Sequence, residues 1–500
     1  MLRLTKNDIR SGMTAIKRCA KHAYHQGDDI MAMHYMDIFA NIGGQFNLEY
    51  CDNDMETLLS EIAARNIDTS STINFVPDAN RWVLYDDFCT TYVLGLQWLD
   101  AMAKSGKEIL YITTRDIDAK NRNRTIIPDI EQYVNVRIKI VPKGNRFVRA
   151  QYIYDSIIQF GASKLIMHKF ASVPPIQLVL PILPKGVERY VINLSDQTFW
   201  LGARYIDYCL EFRQFGANVS LQRRGLKRDQ LLMVPFYPAD DLNPFAGYPE
   251  ECTEDKVIIF SGGDYYKTLD ANHTYWNLVK NILNDHPEVV FLYATKNIPE
   301  GDSEIVRFIH DNHFEHRFIY INFRPDIYQV FAHCDIYMGT CPTSGSLMSQ
   351  LAAINAKPIL QYYKNGTPDD ETEQAICWNK KFQISFADET DFFQEVNRLI
   401  SDISYRKQQG ERLQKAMIHQ EQFVDMVNKT LETNTTQWSI LDAEINYEEL
   451  DDRWFYLEEG GYTNVLPYLY GVLGMKNSIL YVPTLFFKKN WNRLIGHFCR

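Results

Sequence analysis

Two short loops rich in glycine and serine have the composition to meet a phosphate-bearing ligand. The first is Ser344-Gly345-Ser346, inside the run CDIYMGTCPTSGSLMSQLAAINAKPIL from Cys334 to Leu360. A strand is expected to end at Met338 and a helix to begin at Gly345, with Leu347, Leu351 and Ile354 facing inward at i, i+4 and i+7. The start of a helix carries unpaired backbone N–H groups and the positive end of the dipole, so small residues there let a diphosphate approach closely. Plain helix capping by Ser344 or Ser346 explains the same residues equally well. The second loop is SGGDYYKTL, Ser261 to Leu269, where Gly262 and Gly263 follow a strand and Lys267 offers a point charge. A glycine pair after a strand is commonly an ordinary turn. The two loops gain meaning together, because both lie beyond the carboxyl ends of strands, where doubly wound sheets bind ligands.

Acid–base and charge candidates are fewer. Asp86 and Asp87 close the first expected strand, at a position that contacts ligand in many doubly wound domains or serves as a solvated cap. Arg223 and Arg224, in QRRGL, suit either a phosphate or a surface salt-bridge patch. Arg324 has the charge to neutralise a leaving group, and Asp326 two residues on reads as a helix cap. His168, His310, His313 and His316 lack metal-ligand spacing, and no G-x-S-x-G nucleophile elbow is present. No metal site and no cofactor are expected; helix dipole and Lys or Arg would then stand in for a cation.

These residues need a scaffold, and the length of 500 residues predicts two domains with appendages. Hydrophobic residues make up 46% and aromatics 13%, which suits packed cores and argues against disorder. Lys+Arg number 52 against 63 Asp+Glu, a formal net charge of −11, which disfavours a general nucleic-acid binder. No apolar run approaches the ~20 residues of a membrane-spanning helix. The start MLRLTKNDIR is amphipathic rather than signal-like, and nine scattered cysteines form no CxxC pair, so reduced thiols in a cytoplasm are expected.

Residues 4–66 read as helices, and residues 1–75 as an N-terminal helical segment. Strand–helix alternation follows over 76–240, with strands at Trp82–Tyr85, Ile109–Thr113, Val136–Val141, Lys164–Met167 and Tyr190–Leu194. The Pro-, Asp- and Gly-rich stretch Pro238–Pro249 predicts a linker, placed at 241–255. Alternation resumes over 256–430, with strands at Val257–Phe260, Val289–Tyr293, Phe318–Ile321, Asp335–Met338 and Pro358–Gln361. Helices are expected at Asn272–Asn284, Asp326–His333 and Gly345–Ala356. Short buried strands alternating with helices imply parallel, doubly wound sheets.

The run VIIFSGGDYYKTLDANHTYWNLVKNILNDHPEVVFLYAT resembles the opening of the donor domain of O-linked N-acetylglucosamine transferases and their bacterial relatives, through Tyr266, Lys267, Trp276, Pro287 and Val290–Leu292. CDIYMGTCPTSGS with QLAAINAKPIL is similar to the same family's nucleotide-binding strand, loop and helix, so the resemblance spans roughly Val257–Leu360. Leu347 and Met348 follow Ser346 where the family has a Thr pair. In the first half, NLSDQTFWLG is similar to an Asn-His-x-Asp-His-x-Phe-Trp-Leu-Gly stretch of bacterial GT-B enzymes. Asn193, Asp196, Phe199, Trp200, Leu201 and Gly202 match, while Leu194 and Gln197 replace its histidines.

The resemblance implies an α/β protein of GT-B type: two Rossmann-like doubly wound domains facing a cleft, with an N-terminal helical segment and a C-terminal helical extension. It implies a nucleoside-diphosphate sugar, with a UDP-linked sugar expected, held by Gly262, Gly263, Tyr266, Lys267, Arg324, Ser344, Gly345 and Ser346. In the family the loop holding Asp369, Asp370 and Glu371 approaches the sugar, which makes Asp370 a further donor contact or a loop without a ligand. Asp196 is the first candidate base for an acceptor hydroxyl, with helix capping as its equal alternative, and Asp87 is the second. The Glu-x7-Glu pattern of many retaining GT-B enzymes is absent and Gln350 stands near its second Glu, which leans toward inversion and leaves the stereochemistry open.

Residues 431–500 form the extension. No acidic residue follows Glu459, and Phe487, Trp491, Leu494 and Phe498 recur at i, i+4, i+7 and i+11 beside Lys489 and Arg500. Such a helix either packs back on the first domain or rests on an anionic membrane surface, which would suit a lipid-linked acceptor at the inner face of the membrane. Three readings follow. The first is metal-independent transfer to a glycan, glycolipid or protein acceptor, in bacterial polysaccharide or glycoconjugate synthesis. The second is a silent nucleotide-sugar-binding partner of an assembly complex. The third is a GT-B-shaped sugar-nucleotide epimerase.

Overall fold

The computed structural model describes residues 5–89, 94–117, 121–122, 125–169, 173–196, 198–238, 243–270, 272–296, 304–363, 371–376, 383–452, 455, 465–483 and 486–487. The chain forms two compact units. One comprises Met1–Val234, Val424–Ala443 and Trp454–Arg500; the other comprises Pro235–Phe423 and Glu444–Arg453.

The first unit opens with helices Lys6–His25, Asp29–Phe46 and Asn53–Asn66. Each begins on a side chain that accepts a first-turn N–H: Thr5 in a capping box with Asp8, Asp28 for Met31, and Asp52 for Met55. Their apolar stripes bury Ile9, Met13 and Ile16 with Met33, Met36 and Phe39. The helices do not stand apart from the sheet domain. Phe39 meets the Phe199 ring edge-on at 5.6 Å, and a side chain on Gly43 would stand 2.8 Å from that ring.

Seven parallel strands follow: β1 Asp78–Asp86, β2 Glu108–Thr113, β3 Val136–Ile140, β4 Ala162–His168, β5 Glu188–Ile192, β6 Tyr208–Glu211 and β7 Leu231–Met233. Their order is β3-β2-β1-β4-β5-β6-β7. The direction of winding therefore reverses between β1 and β4. Trp82 to Tyr85 and Ile109 to Ile112 are buried without alternation, as strands covered by helices on both faces require.

Residues from Val424 rejoin this unit, which brings the segment 424–430 into the first unit rather than the second. Asn434 hydrogen bonds with Glu188 and Tyr190 of β5. The strap 439–443 lies along helix Gln214–Arg223. Gln214 bonds Ser439 and Leu441, Asn218 bonds Leu441 and Ala443, and Gln222 bonds Ala443. The spacing of four puts the three amides on one helix face. Toward the C-terminus a helical stretch spans Val465–Tyr481 with a kink at Gly474, and Arg18 lies over the Tyr481 ring. Phe487 is exposed, while Trp491, Leu494 and Phe498 lie outside the described residues. Among the described residues no helix is long and apolar enough to cross a membrane.

The second unit repeats the topology with six strands: β8 Val257–Gly262, β9 Val289–Ala294, β10 Phe318–Ile321, β11 Ile336–Met338, β12 Ile359–Tyr362 and β13 Ser385–Phe386. All pair in parallel in the order β10-β9-β8-β11-β12-β13. Helix Thr274–Asp285 buries Trp276, Val279 and Leu283 on one face of this sheet. Helix Ser346–Ile354 buries Leu351, Ala352 and Ala353 on the other. The expected linker is in part a packed element. Phe245 stacks on His333 at 3.8 Å, and Tyr248 donates to the Val330 carbonyl.

Candidate functional site

In the second sheet the winding reverses between β8 and β11, and the two glycine–serine loops leave the carboxyl ends of those two strands. Such a switch point opens a crevice at the strand ends. Gly262 continues β8 so closely against β9 that a side chain would stand 2.9 Å from the Ala294 carbonyl. Gly263 has φ +148°, a conformation that favours glycine. Tyr293 donates to the Gly263 carbonyl at 3.2 Å, which fixes the turn from behind.

The second loop is braced in the same manner. A side chain on Gly339 would collide with the Gln361 amide, whose Nε2 donates to the Thr340 carbonyl at 3.0 Å. The loops then join: Thr343 N–H donates to the Lys267 carbonyl at 3.3 Å. The Lys267 ammonium lies 3.7 Å from the point where a side chain on Gly345 would begin. Gly345 is the N-cap of helix Ser346–Ile354, so no side chain caps this end. Ser344 and Ser346 are half-buried beside it, and Tyr266 is exposed on the first loop. A cation beside the open positive end of a helix is an arrangement that attracts a diphosphate.

Three other donor-side residues stand differently. Arg324 forms a two-point ion pair with Asp326, at 2.7 and 2.6 Å, and donates to the Gly247 carbonyl at 2.9 Å. Asp326 also accepts from the Ala246 N–H, and the Arg324 hydrogen bonds hold its carboxyl at about 2. The pair thus fastens segment 246–247 to the β10 exit, and the Asp326 side chain does not cap the helix. Asp370 lies outside the described residues. Gln350 is buried and donates to the Phe236 and Ala375 carbonyls, a structural use of its amide.

In the first sheet the reversal falls between β1 and β4, whose ends carry Asp86-Asp87 and His168-Lys169. The two aspartates divide sharply. Asp86 is fully buried and accepts from Phe88 N–H, Cys89 N–H, the Tyr111 hydroxyl and His168 Nδ1. Burial works against its charge, but those donors, His168 foremost, hold its carboxyl below the usual range. Asp87 keeps an exposed edge. Its Oδ1 accepts from Tyr85 at 2.6 Å and Thr114 at 3.2 Å, and its Oδ2 has no hydrogen-bond partner among the described residues. Burial pushes the Asp87 carboxyl upward, as suits a base.

Asp196 is neither open to a substrate nor a helix cap. It is fully buried, and Arg213 takes both its oxygens, at 2.5 and 2.9 Å. Helix Gln214–Arg223 begins well after it, and Gly216 allows the close approach, since a side chain there would stand 2.7 Å from Asp196 Cβ. Arg224 is buried rather than part of a surface patch. It donates to the Asp196 and Thr198 carbonyls and to the Ser220 hydroxyl. Gln197 lies outside the described residues.

Two polar groups here escaped the sequence reading. Lys169, directly after β4, is 6% exposed and stands over the Trp200 ring at 5.0 Å. Burial brings its ammonium down to about 8, against the pull of Asp87 and Glu56. Glu56, from the third N-terminal helix, accepts the Gly202 and Ala203 N–H groups, and burial lifts its carboxyl to about 7. A charge immediately after an apolar strand was a legible signal for Lys169; nothing local marks Glu56. The chain also carries an Asp-x-Asp, Asp116-Ile117-Asp118, beyond β2. Asp116 pairs with Lys143 at 2.6 Å, and Asp118 lies outside the described residues.

No family model matches the chain, and no curated protein matches it. Solved structures do. A Lys-to-Met mutant of the O-GlcNAc transferase of Thermobaculum terrenum matches with a TM-score of 0.50 at 13% identity, covering 90% of this chain and 83% of that one. HepE of Anabaena in complex with UDP and glucose matches with a TM-score of 0.50 at 12% identity, covering 70% of this chain and 99% of that one. HepE in complex with UDP-glucose matches with a TM-score of 0.50 at 11% identity, covering 71% and 99%. At such identities the likeness is one of fold. The chain has the two-domain, Rossmann-like GT-B fold seen in these glycosyltransferases.

Proposed function

We propose that the protein is a glycosyltransferase that moves a sugar from a nucleoside-diphosphate sugar to an acceptor hydroxyl. One observation carries the reading: the Lys267 ammonium stands beside the uncapped start of helix Ser346–Ile354, at the switch point of the second sheet. UDP and UDP-glucose in the HepE complexes favour a UDP-sugar as donor. Gly262, Gly263, Tyr266, Ser344, Gly345 and Ser346 are its further contacts, with Lys267 and the helix start in the place of a metal ion.

The acceptor oxygen attacks the anomeric carbon, the bond from that carbon to the diphosphate breaks, and the hydroxyl proton passes to a carboxylate. Asp87 is the base, because one of its oxygens is uncommitted, while Asp196 serves to hold Arg213. The acceptor is a glycan, glycolipid or protein, in bacterial polysaccharide or glycoconjugate synthesis. A second reading, a silent nucleotide-sugar-binding partner, draws on the Asp196–Arg213 pair, which removes the base that the acceptor-side motif otherwise offers.

A panel of UDP- and GDP-sugars in thermal shift tests the donor site. At a hundred times the dissociation constant a ligand stabilises by ~2.7 kcal/mol, and no shift with any of them sinks both readings. Turnover of a labelled donor then separates them: binding without transfer or hydrolysis leaves the silent partner.

A further inference from the structure

The first unit contains charges that the transferase reading does not use. At the carboxyl ends of β4 and β5 lies a small recess open to solvent, whose lining includes Lys169, Asn193, Ser195, Thr198 and Trp200. Two cations flank the indole: the Lys169 ammonium at 5.0 Å and the Arg224 guanidinium at 5.2 Å from its centroid. They are 6% and 4% exposed, and neither forms an ion pair with a described residue. Arg224 bonds only neutral oxygens, and its Nε is buried without a partner. Lys169 has no hydrogen-bond acceptor among the described residues.

Two buried cations without a counter-ion are costly unless something supplies the negative charge. The nearby acids form no ion pair with either cation, and each accepts hydrogen bonds from other groups. Lys169 feels Asp87, Glu56 and Cys209, while Arg224 feels Glu211, Cys209, Asp196 and Tyr50. Asp196 is taken by Arg213, Glu56 by two backbone N–H groups, and Glu211 by Asn193 and Ser220. Asp87 gives one oxygen to Tyr85 and Thr114. The recess also offers the Ser195 hydroxyl, which suits an oxygen atom of an incoming anion, while the Thr198 hydroxyl donates to the Ser195 carbonyl.

We propose that this recess binds a carboxylate or phosphate group, with Lys169 as its direct partner and Arg224 adding positive potential through the loop it holds. That the group belongs to the acceptor rests on the transferase reading; the anion site itself does not.

The test is calorimetric titration of the full chain with acetate and with inorganic phosphate, at constant ionic strength. A Lys267→Met background removes the phosphate partner of the donor loops. Saturable binding of one anion, weakened at least tenfold by Lys169→Met and kept by Lys169→Arg, supports the site. The tighter of the two anions names the group. Binding in the unsubstituted-Lys169 chain is also expected to take up protons above pH 8, read as a heat that varies with the buffer. Absence of saturable binding by both anions overturns the proposal, as does binding that survives Lys169→Met intact. Failure of the donor site is read separately, as loss of the UDP-glucose shift in the native chain.

Discussion

The Lys267 ammonium and the backbone of Gly345 meet across two loops that are 78 positions apart in sequence, with 3.7 Å between the ammonium and the place of an added Cβ. That contact makes one site of two weak motifs. Replacing Lys267 by Met is expected to weaken a nucleotide-sugar by about 10- to 100-fold, the ~1.5–3 kcal/mol of hydrogen bonding to a charged group. The melting temperature without ligand is expected to stay within a degree or two. Equal affinity of both chains in a UDP-glucose titration removes Lys267 from the site.

Gly263 to Ala is expected to act on the same site through the backbone. At φ +148° the new side chain is strained, and it would sit 3.4 Å from the Lys267 side chain. A lowered donor affinity together with a cost of ~1–3 kcal/mol in chemical denaturation is the expected pair of results.

The two candidate bases of the first unit separate by assay. Asp87→Asn is expected to cut transfer by about 10²–10⁴-fold while donor binding is unchanged. Asp196→Ala leaves the Arg213 charge buried and unpaired, and is expected to cost ~3–5 kcal/mol of stability. Should Asp87→Asn retain full turnover, the base lies elsewhere.

Glu56 gives a pH dependence of known sign. Its carboxyl is lifted from 4.5 to about 7 in the folded chain, so the native state holds the proton more tightly than the unfolded one. Its contribution to stability is full below pH 4.5 and is lost as the pH rises to about 7. Glu56→Gln keeps an acceptor for Gly202 and Ala203 and is expected to flatten the unfolding free energy across that window. A slope that persists unchanged assigns it to other groups.

Asn218→Ala is expected to destabilise by ~1–3 kcal/mol, since it strips two hydrogen bonds from the strap at Leu441 and Ala443. Limited proteolysis checks this directly: cleavage within 439–443 is expected to accelerate. An unchanged cleavage pattern means that Gln214 and Gln222 suffice.

Much of the scaffold was legible because buried parallel strands are short apolar runs with few rivals. Phe318–Ile321 matches the expected bounds, and most others shift by one to three residues. The strands that escaped, Tyr208–Glu211, Leu231–Met233 and Ser385–Phe386, lie toward one side of each sheet and have two to four residues, too few for a periodic signal. The site was legible where chemistry sits on a local turn, as at Gly262–Lys267 and Ser344–Ser346. It was not legible where a long-range partner decides the role. Asp87 and Asp196 look alike in sequence, and the partners reached through folding, Thr114 for the first and Arg213 for the second, tell them apart. Glu56 lies 146 residues from the Gly202 N–H that it accepts.

The strap held by Gln214, Asn218 and Gln222 has a consequence for biosynthesis. Its partner Leu441 is translated 227 residues after Gln214. On the ribosome the second sheet is complete before the first unit receives this segment. The amides of helix Gln214–Arg223 therefore wait in water for a late arrival, and a chain halted at Val234 lacks the piece that closes its own domain.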